Sequence, residues 1–173
     1  MRAAYDYSFE TNWEFEADIR QVWSYIGGVE YGAWWPGVRT ELVHKSPSPF
    51  GIGNKYKFDI RTKLPYTLTF VAEVAARRVP ESLAIRATGD LEGRGAWTLE
   101  QAGDVAQVRY VWQVNVTKPW MRMLGPALRP LFIWNHDQVM REGAKGLANA
   151  LGTKLRKSDK LRMQPPRLDQ TTR

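Results

Sequence analysis

The chain has 173 residues, no cysteine and a formal net charge of +7. That length is one domain's worth with a full hydrophobic core, and without cysteine there are no disulfides and no thiolate metal sites. The charge is not a nucleic-acid footprint: from Thr153 onward Lys154, Arg156, Lys157, Lys160, Arg162, Arg167 and Arg173 face only Asp159 and Asp169, which leaves the body of the chain close to neutral.

Tyr5 to Phe15 alternates, with Tyr5, Tyr7, Phe9, Trp13 and Phe15 on one phase and Asp6, Ser8, Glu10, Asn12 and Glu14 on the other, and predicts a half-buried strand. Asp18 suits the start of a short helix through Ile26, whose apolar face is Ile19, Val22, Trp23 and Ile26. Gly27-Gly28 ends it, and a second short helical turn is expected over Val29 to Trp34 before Pro36-Gly37. From Val38 to Val116 the pattern predicts six antiparallel strands with one wet and one dry face. Val38 to Lys45 comes first, then Tyr56, Phe58 and Ile60 alternate with polar neighbours. Tyr66, Leu68, Phe70, Ala72 and Val74 follow, then Leu83, Ile85 and Ala87, then Trp97 and Leu99. The last set is Val108, Tyr110, Trp112, Val114 and Val116. Lys118-Pro119 stops this strand, a short amphipathic piece covers Trp120 to Leu124, and Pro126 and Pro130 predict a bend or a fresh start at Pro130.

Pro130 to about Leu151 reads as one long helix, roughly 33 Å at 1.5 Å per residue. Phe132, His136, Val139, Gly143, Leu147 and Ala150 form its apolar stripe, flanked by Asn135, Met140 and Gly146. A one-sided helix of this length needs a surface to cover, and a sheet with one apolar face needs a cover, so the two are expected to close around a pocket. The domain is expected to span residues 1–152, with 153–173 a basic, mobile tail. The opening MRAAYDYSFE has no continuous apolar run, which predicts no signal peptide. No window approaches the roughly eighteen apolar residues of a membrane span, and a soluble, cytoplasmic protein is expected.

The quoted order, together with Glu16-Ala17-Asp18 leading to Val22-Trp23, Trp34-Trp35-Pro36-Gly37-Val38, Gly89-Asp90-Leu91-Glu92-Gly93-Arg94-Gly95 with Trp97, and Trp134-Asn135-His136-Asp137 leading to Met140, Gly143 and Gly146-Leu147, resembles the helix-grip fold of the START-like or SRPBCC superfamily. Within it the nearest resemblance is to the bacterial polyketide cyclase/dehydrase and lipid-transport group. The resemblance covers nearly all of residues 5–152. It implies an α+β fold, a seven-stranded curved antiparallel sheet wrapped on the C-terminal helix with two short helices after strand one. It also implies a hydrophobic ligand held between sheet and helix, on which a minority of members do chemistry.

Several residues are candidates for a site. His136, in the middle of the helix's apolar stripe, is either an acid/base group or a buried histidine bonded to a strand side chain such as a tyrosine hydroxyl. Asn135 beside it either donates to a ligand carbonyl or satisfies a neighbouring one. Asp137 is about 100° round the helix, a poor geometry for a His–Asp relay. Trp34, Trp35, Tyr56, Phe58, Phe70, Trp97, Tyr110, Trp112 and Phe132, with Tyr7 and Val139, are expected to line the pocket or to be plain core. Gly143 and Gly146 either leave volume for a ligand or seat a close backbone. Gly89 to Gly95 is not a dinucleotide fingerprint, since it opens no helix; it predicts a hairpin or bulge that lets the covering helix approach. With only His44 and His136 and no cysteine, no metal site and no cofactor are expected. A serine nucleophile on a strained turn is equally absent from the pattern, since Ser46 and Ser48 sit in a Pro-rich loop.

Three functions are compatible with these residues: binding or carriage of a lipid-, polyketide- or aromatic-like molecule, a polyketide cyclase or dehydratase using His136, and a groove for a partner's peptide. The strand arginines Arg39, Arg61, Arg77, Arg86, Arg94 and Arg109 fall on the outward phase, which weakens the catalytic alternative. The basic tail offers weak contact with anionic lipid headgroups.

Overall fold

The computed structural model describes residues 6–159 together with Arg162–Met163. The expected strand start at Tyr5, and the tail residues Lys160, Arg167 and Arg173, lie outside the described residues. β1 (Tyr7–Phe15) leads through α1 (Ile19–Ile26) and a 3-10 turn at Tyr31–Ala33 into β2 (Val38–His44). A second 3-10 turn at Pro49–Gly51 precedes β3 (Lys55–Arg61), β4 (Thr67–Arg78), β5 (Ser82–Gly89), β6 (Leu91–Ala102) and β7 (Val105–Val116). α2 (Pro119–Leu151), β8 (Leu155–Ser158) and β9 (Arg162–Met163) complete the chain.

All pairing is antiparallel. β2 to β7 form a meander because short turns join consecutive strands. β1 then pairs with β7 from Tyr7↔Val114 to Phe15↔Ala106, so the strand order is β2-β3-β4-β5-β6-β7-β1-β8, with β9 also against β1. The inner phase of each strand is the dry one: Phe9, Trp13, Phe58, Phe70, Leu83, Trp97, Val108 and Val114 are all buried. This is the α+β helix-grip architecture, a single curved sheet closed by a long C-terminal helix.

α1 begins where the sequence placed it. Arg20 N–H donates to Asp18 Oδ1 (2.8 Å), and Asp18 N–H donates to Gln21 Oε1 (3.2 Å), a reciprocal cap of two otherwise orphaned donors.

Four expectations are corrected. The strand count rises from seven to nine, because the chain after Thr153 does not leave the body as a free tail: β8 pairs with β1 at Trp13↔Ser158 and Glu14↔Lys157, and Arg156 Nε bonds Glu16 Oε1 at 2.6 Å. An edge strand of four residues buries too little to show a period, so its polar sequence reads as tail. The second correction concerns α2, which is one 33-residue helix; Pro126 and Pro130 lie inside it. Each proline removes one intrahelical donor, and the helix runs through both positions.

Arg77 is the third. The register of β4 shifts between Val74 and Ala76, which turns Arg77 to the inner side opposite Leu83, and its Nη2 donates to Gly27 O at the end of α1 (2.8 Å). The fourth is the role of Gly89 to Gly95, which does not seat the helix. The predicted hairpin is present, with Asp90 joining β5 to β6. A side chain at Gly93 would strike β7, and a Cβ at Gly95 would come within 2.7 Å of Tyr110 Oη and 2.8 Å of the Trp112 ring.

Candidate functional site

Beneath α2 the concave face of the sheet does not fill completely, and a cavity of about 120 Å³ remains. Its floor is an aromatic lattice built by strand alternation: Phe58 stacks on Phe70 (5.1 Å between centroids), Phe70 meets Trp112 (5.7 Å), and Tyr110 stacks on Trp97 (4.0 Å). Gly95, on the inner side of β6, leaves room for the Tyr110 and Trp112 rings. The roof is one face of α2, with Phe132, Asn135, His136, Val139 and Met140, and Met121 nearer its start. Tyr31 and Trp35, from the segment after α1, close one side.

That segment is held against α2 by the two helix glycines. A Cβ at Gly143 would overlap the Trp35 indole, and one at Gly146 would overlap the Trp34 carbonyl oxygen. Trp35 Nε1 donates to Val139 O at 2.9 Å. Gly146 therefore seats a close backbone, the second of the two readings, whereas Gly143 seats the Trp35 ring and fits neither.

Of the residues expected at the pocket, Tyr7, Trp35, Phe58, Phe70, Trp97, Tyr110, Trp112, Phe132, Asn135, His136 and Val139 lie on the cavity wall, and Trp34 and Tyr56 do not. Trp34 stacks on Trp35 (5.2 Å) outside the wall. Tyr56 is buried at the other end of β3, where its hydroxyl is 3.4 Å from Asn54 Nδ2. The wall also holds residues that the sequence pattern does not single out. Phe9, Ile60, Leu68, Ile85, Val114 and Val116 follow from the same alternation. Tyr66 heads the alternating run that continues through Leu68 and Phe70, whereas Tyr31, Thr62 and Met121 lie in short connections or at a helix start, where no period marks them.

No side chain on this wall carries a charge at neutral pH. His136 stacks on Phe9 (4.0 Å, 19° between planes), and burial pushes its pKa down to about 3. Its Nδ1 is buried with no hydrogen-bond partner, so it is not the histidine bonded to a tyrosine hydroxyl that the sequence allowed. Tyr31 donates to Ile26 O (3.0 Å), and burial raises the phenols of Tyr31, Tyr110, Tyr7 and Tyr66 above the usual value, against the lowering influence of Arg129 at Tyr7. Arg129 sits over the Tyr7 ring at 5.0 Å. Asn135 is 4% exposed; its Nδ2 reaches Tyr66 Oη at 3.4 Å, and its Oδ1 has no partner.

An unpaired buried oxygen costs about 1–3 kcal/mol, and a 3.4 Å contact returns little of it. Asn135→Leu is therefore expected to raise the stability of the empty protein by about 1 kcal/mol in urea unfolding, and a fall of that size would mean that the amide is satisfied. Among the described residues no group of three His, Asp or Glu side chains is arranged to hold a metal ion. No described helix is long and apolar enough to cross a membrane.

No family model matches the chain. None of the curated proteins matches it either. Solved structures do. A START superfamily protein from Mycobacterium smegmatis superposes with a TM-score of 0.67 at 13% identity, over 84% of this chain and 97% of that one. The Zhui aromatase/cyclase from a Streptomyces species gives 0.68 at 10% identity, over 84% and 93%. A protein from Thermus thermophilus gives 0.65 at 14% identity, over 83% and 98%. At these identities the likeness is one of fold, and the fold is START-like.

Proposed function

We propose that the protein binds a compact, uncharged and largely apolar molecule, about one ring in size, in the cavity beneath α2. The observation that carries this reading is a chamber of about 120 Å³ walled by aromatic and aliphatic side chains with no charged group. An apolar cavity of about 150 Å³ accepts a benzene-sized guest, so the space as it stands suits a single ring better than a long acyl chain. A carboxylate inside would lose its hydration with no cation to replace it. The unpaired Asn135 Oδ1 and His136 Nδ1 on the roof favour a ligand that brings a hydroxyl or amide to meet them.

Binding or carriage is favoured over cyclase or dehydratase chemistry by the state of His136. With its pKa near 3 it is a neutral imidazole at neutral pH, without the acidic imidazolium proton, and too weak a base to abstract a proton readily. No second side chain orients its Nδ1. A peptide groove is less favoured because the cavity is open rather than collapsed.

Titration with phenol, benzoate and palmitate tests the reading, with thermal shift and tryptophan quenching as readouts. Trp97 and Trp112 in the wall report occupancy directly. The phenol is expected to raise the melting temperature and to bind at least about tenfold tighter than the carboxylate, a difference of about 1.4 kcal/mol. Palmitate binding as tightly as the phenol, or no response to any ring compound at millimolar concentration, would overturn it.

A further inference from the structure

The outer face of the first half of α2 is largely open to solvent. Trp120, Leu124, Ala127, Leu131 and Trp134 recur at steps of four and three, which places them on one helical stripe. All five are exposed, Trp134 at 45%, and Met123 beside them is 76% exposed. Farther along, the same side of the helix turns polar at Gln138, Arg141 and Lys145. The stripe is about 21 Å long, at 1.5 Å per residue, with a tryptophan at each end.

The charge around it is mostly positive, with the Lys118–Asp90 ion pair (3.1 Å) at its start. From Lys118 to His136 there is no acidic residue, and none from Ile60 to Ala72 in the β3–β4 hairpin beside it. Arg122 on α2, and Arg61 and Lys63 in the hairpin, are exposed or partly so and form no ion pair with a described residue. The hairpin meets the stripe where the Trp120 ring packs edge-on against Tyr66 (5.7 Å). Tyr66 is also part of the cavity wall, and its ring meets Phe132 at 6.3 Å.

We infer that this face docks on the surface of an anionic lipid bilayer, with Trp120, Met123, Leu124, Leu131 and Trp134 entering the headgroup–acyl boundary and Arg61, Lys63 and Arg122 reaching the lipid phosphates. An interfacial helix needs this combination: a tryptophan- and leucine-bearing apolar face, low overall hydrophobicity and flanking cations. A second copy of the chain is the poorer occupant. Two such faces brought together would set Arg61, Lys63 and Arg122 of one copy against the same cations of the other. Docking in this pose sets the Tyr66 side of the cavity against the hydrocarbon, where an apolar guest can pass without crossing water.

The test is co-sedimentation of the full chain with phosphatidylcholine vesicles, with and without about 30% phosphatidylglycerol. The protein is expected to partition at least about tenfold more strongly onto the anionic vesicles. Met123→Glu/Leu131→Glu, at exposed positions off the cavity wall, is expected to lose that binding with an unchanged melting temperature. Arg61→Glu/Lys63→Glu is expected to abolish the preference for anionic lipid. Both variants keep the basic C-terminus, so binding retained in both would assign it there and overturn the inference. Equal partition onto both vesicle types would also overturn it, as would a dimer that Met123→Glu/Leu131→Glu splits. Ring-compound binding by the same variants in lipid-free solution reads the cavity separately.

Discussion

Lowering the pH from 7 to 4 is expected to cost the fold about 3 kcal/mol more in the native sequence than in a His136→Phe variant. In the unfolded chain the imidazole takes up its proton near pH 6.5. In the fold, burial against Phe9 under α2 holds its pKa down to about 3. Between these values the unfolded state binds a proton that the native state does not, so stability falls as the pH falls. Above about pH 7.5 the group contributes little to the slope. By pH 4 the difference approaches two and a half pKa units, about 3 kcal/mol at 1.36 kcal/mol per unit. Below about pH 3 both states are charged and the loss levels off. Phenylalanine keeps a planar ring on Phe9 and cannot titrate. Carboxylates such as Asp59, whose pKa is lowered first by its hydrogen bond from Thr69, are common to both proteins and cancel in the comparison. Urea unfolding of the two proteins at pH 7, 5.5 and 4 measures the difference, and parallel pH slopes would show that the ring is hydrated.

The dry face of the sheet was legible because strand alternation is a local signal with a period of two. Tyr7, Phe58, Phe70, Tyr110 and Trp112 could be placed on one surface from spacing alone, and the 3.6-residue period put Phe132, Asn135, His136 and Val139 above it. Phase stops being readable where the backbone departs from regularity. The bulge in β4 turns Arg77 inward against its apparent phase. Trp34 and Trp35 sit in a turn, where no period says which of the two reaches the cavity. β8 was invisible because an edge strand is specified by its neighbour β1 rather than by its own four residues. The prolines of α2 are the opposite case, a strong local stop signal that the helix runs through. Cavity volume is not local at all. It is the small remainder after some two dozen side chains have packed, and no single position carries it.

Gly146→Ala is expected to destabilise the protein by roughly 2–4 kcal/mol, against the sign that helix propensity dictates. In an unconstrained helix interior the same change gains about 0.5–1 kcal/mol. Here the new methyl would fall on the Trp34 carbonyl oxygen, with Pro36 Cδ at 3.0 Å. A side chain could rotate away from such a contact; a backbone carbonyl cannot do so alone. Residues 34–36 are moreover fixed from both ends. Trp35 Nε1 holds Val139 O on α2 (2.9 Å), and Val38 N–H holds Trp35 O (3.1 Å) at the entry to β2. Relief therefore requires α2 to lift from the segment as a unit, breaking the indole bond and opening the packing around Ala144 and Leu147, both fully buried. Trp35 and Val38 are also cavity wall, so the variant is expected to lose ring-compound affinity along with stability. Asn149, exposed on the same helix, is the control position, and Asn149→Ala is expected to be neutral or stabilising. If urea midpoints show both alanine variants gaining stability alike, α2 does not rest on the Trp34 backbone, and the roof of the cavity is not where this packing puts it.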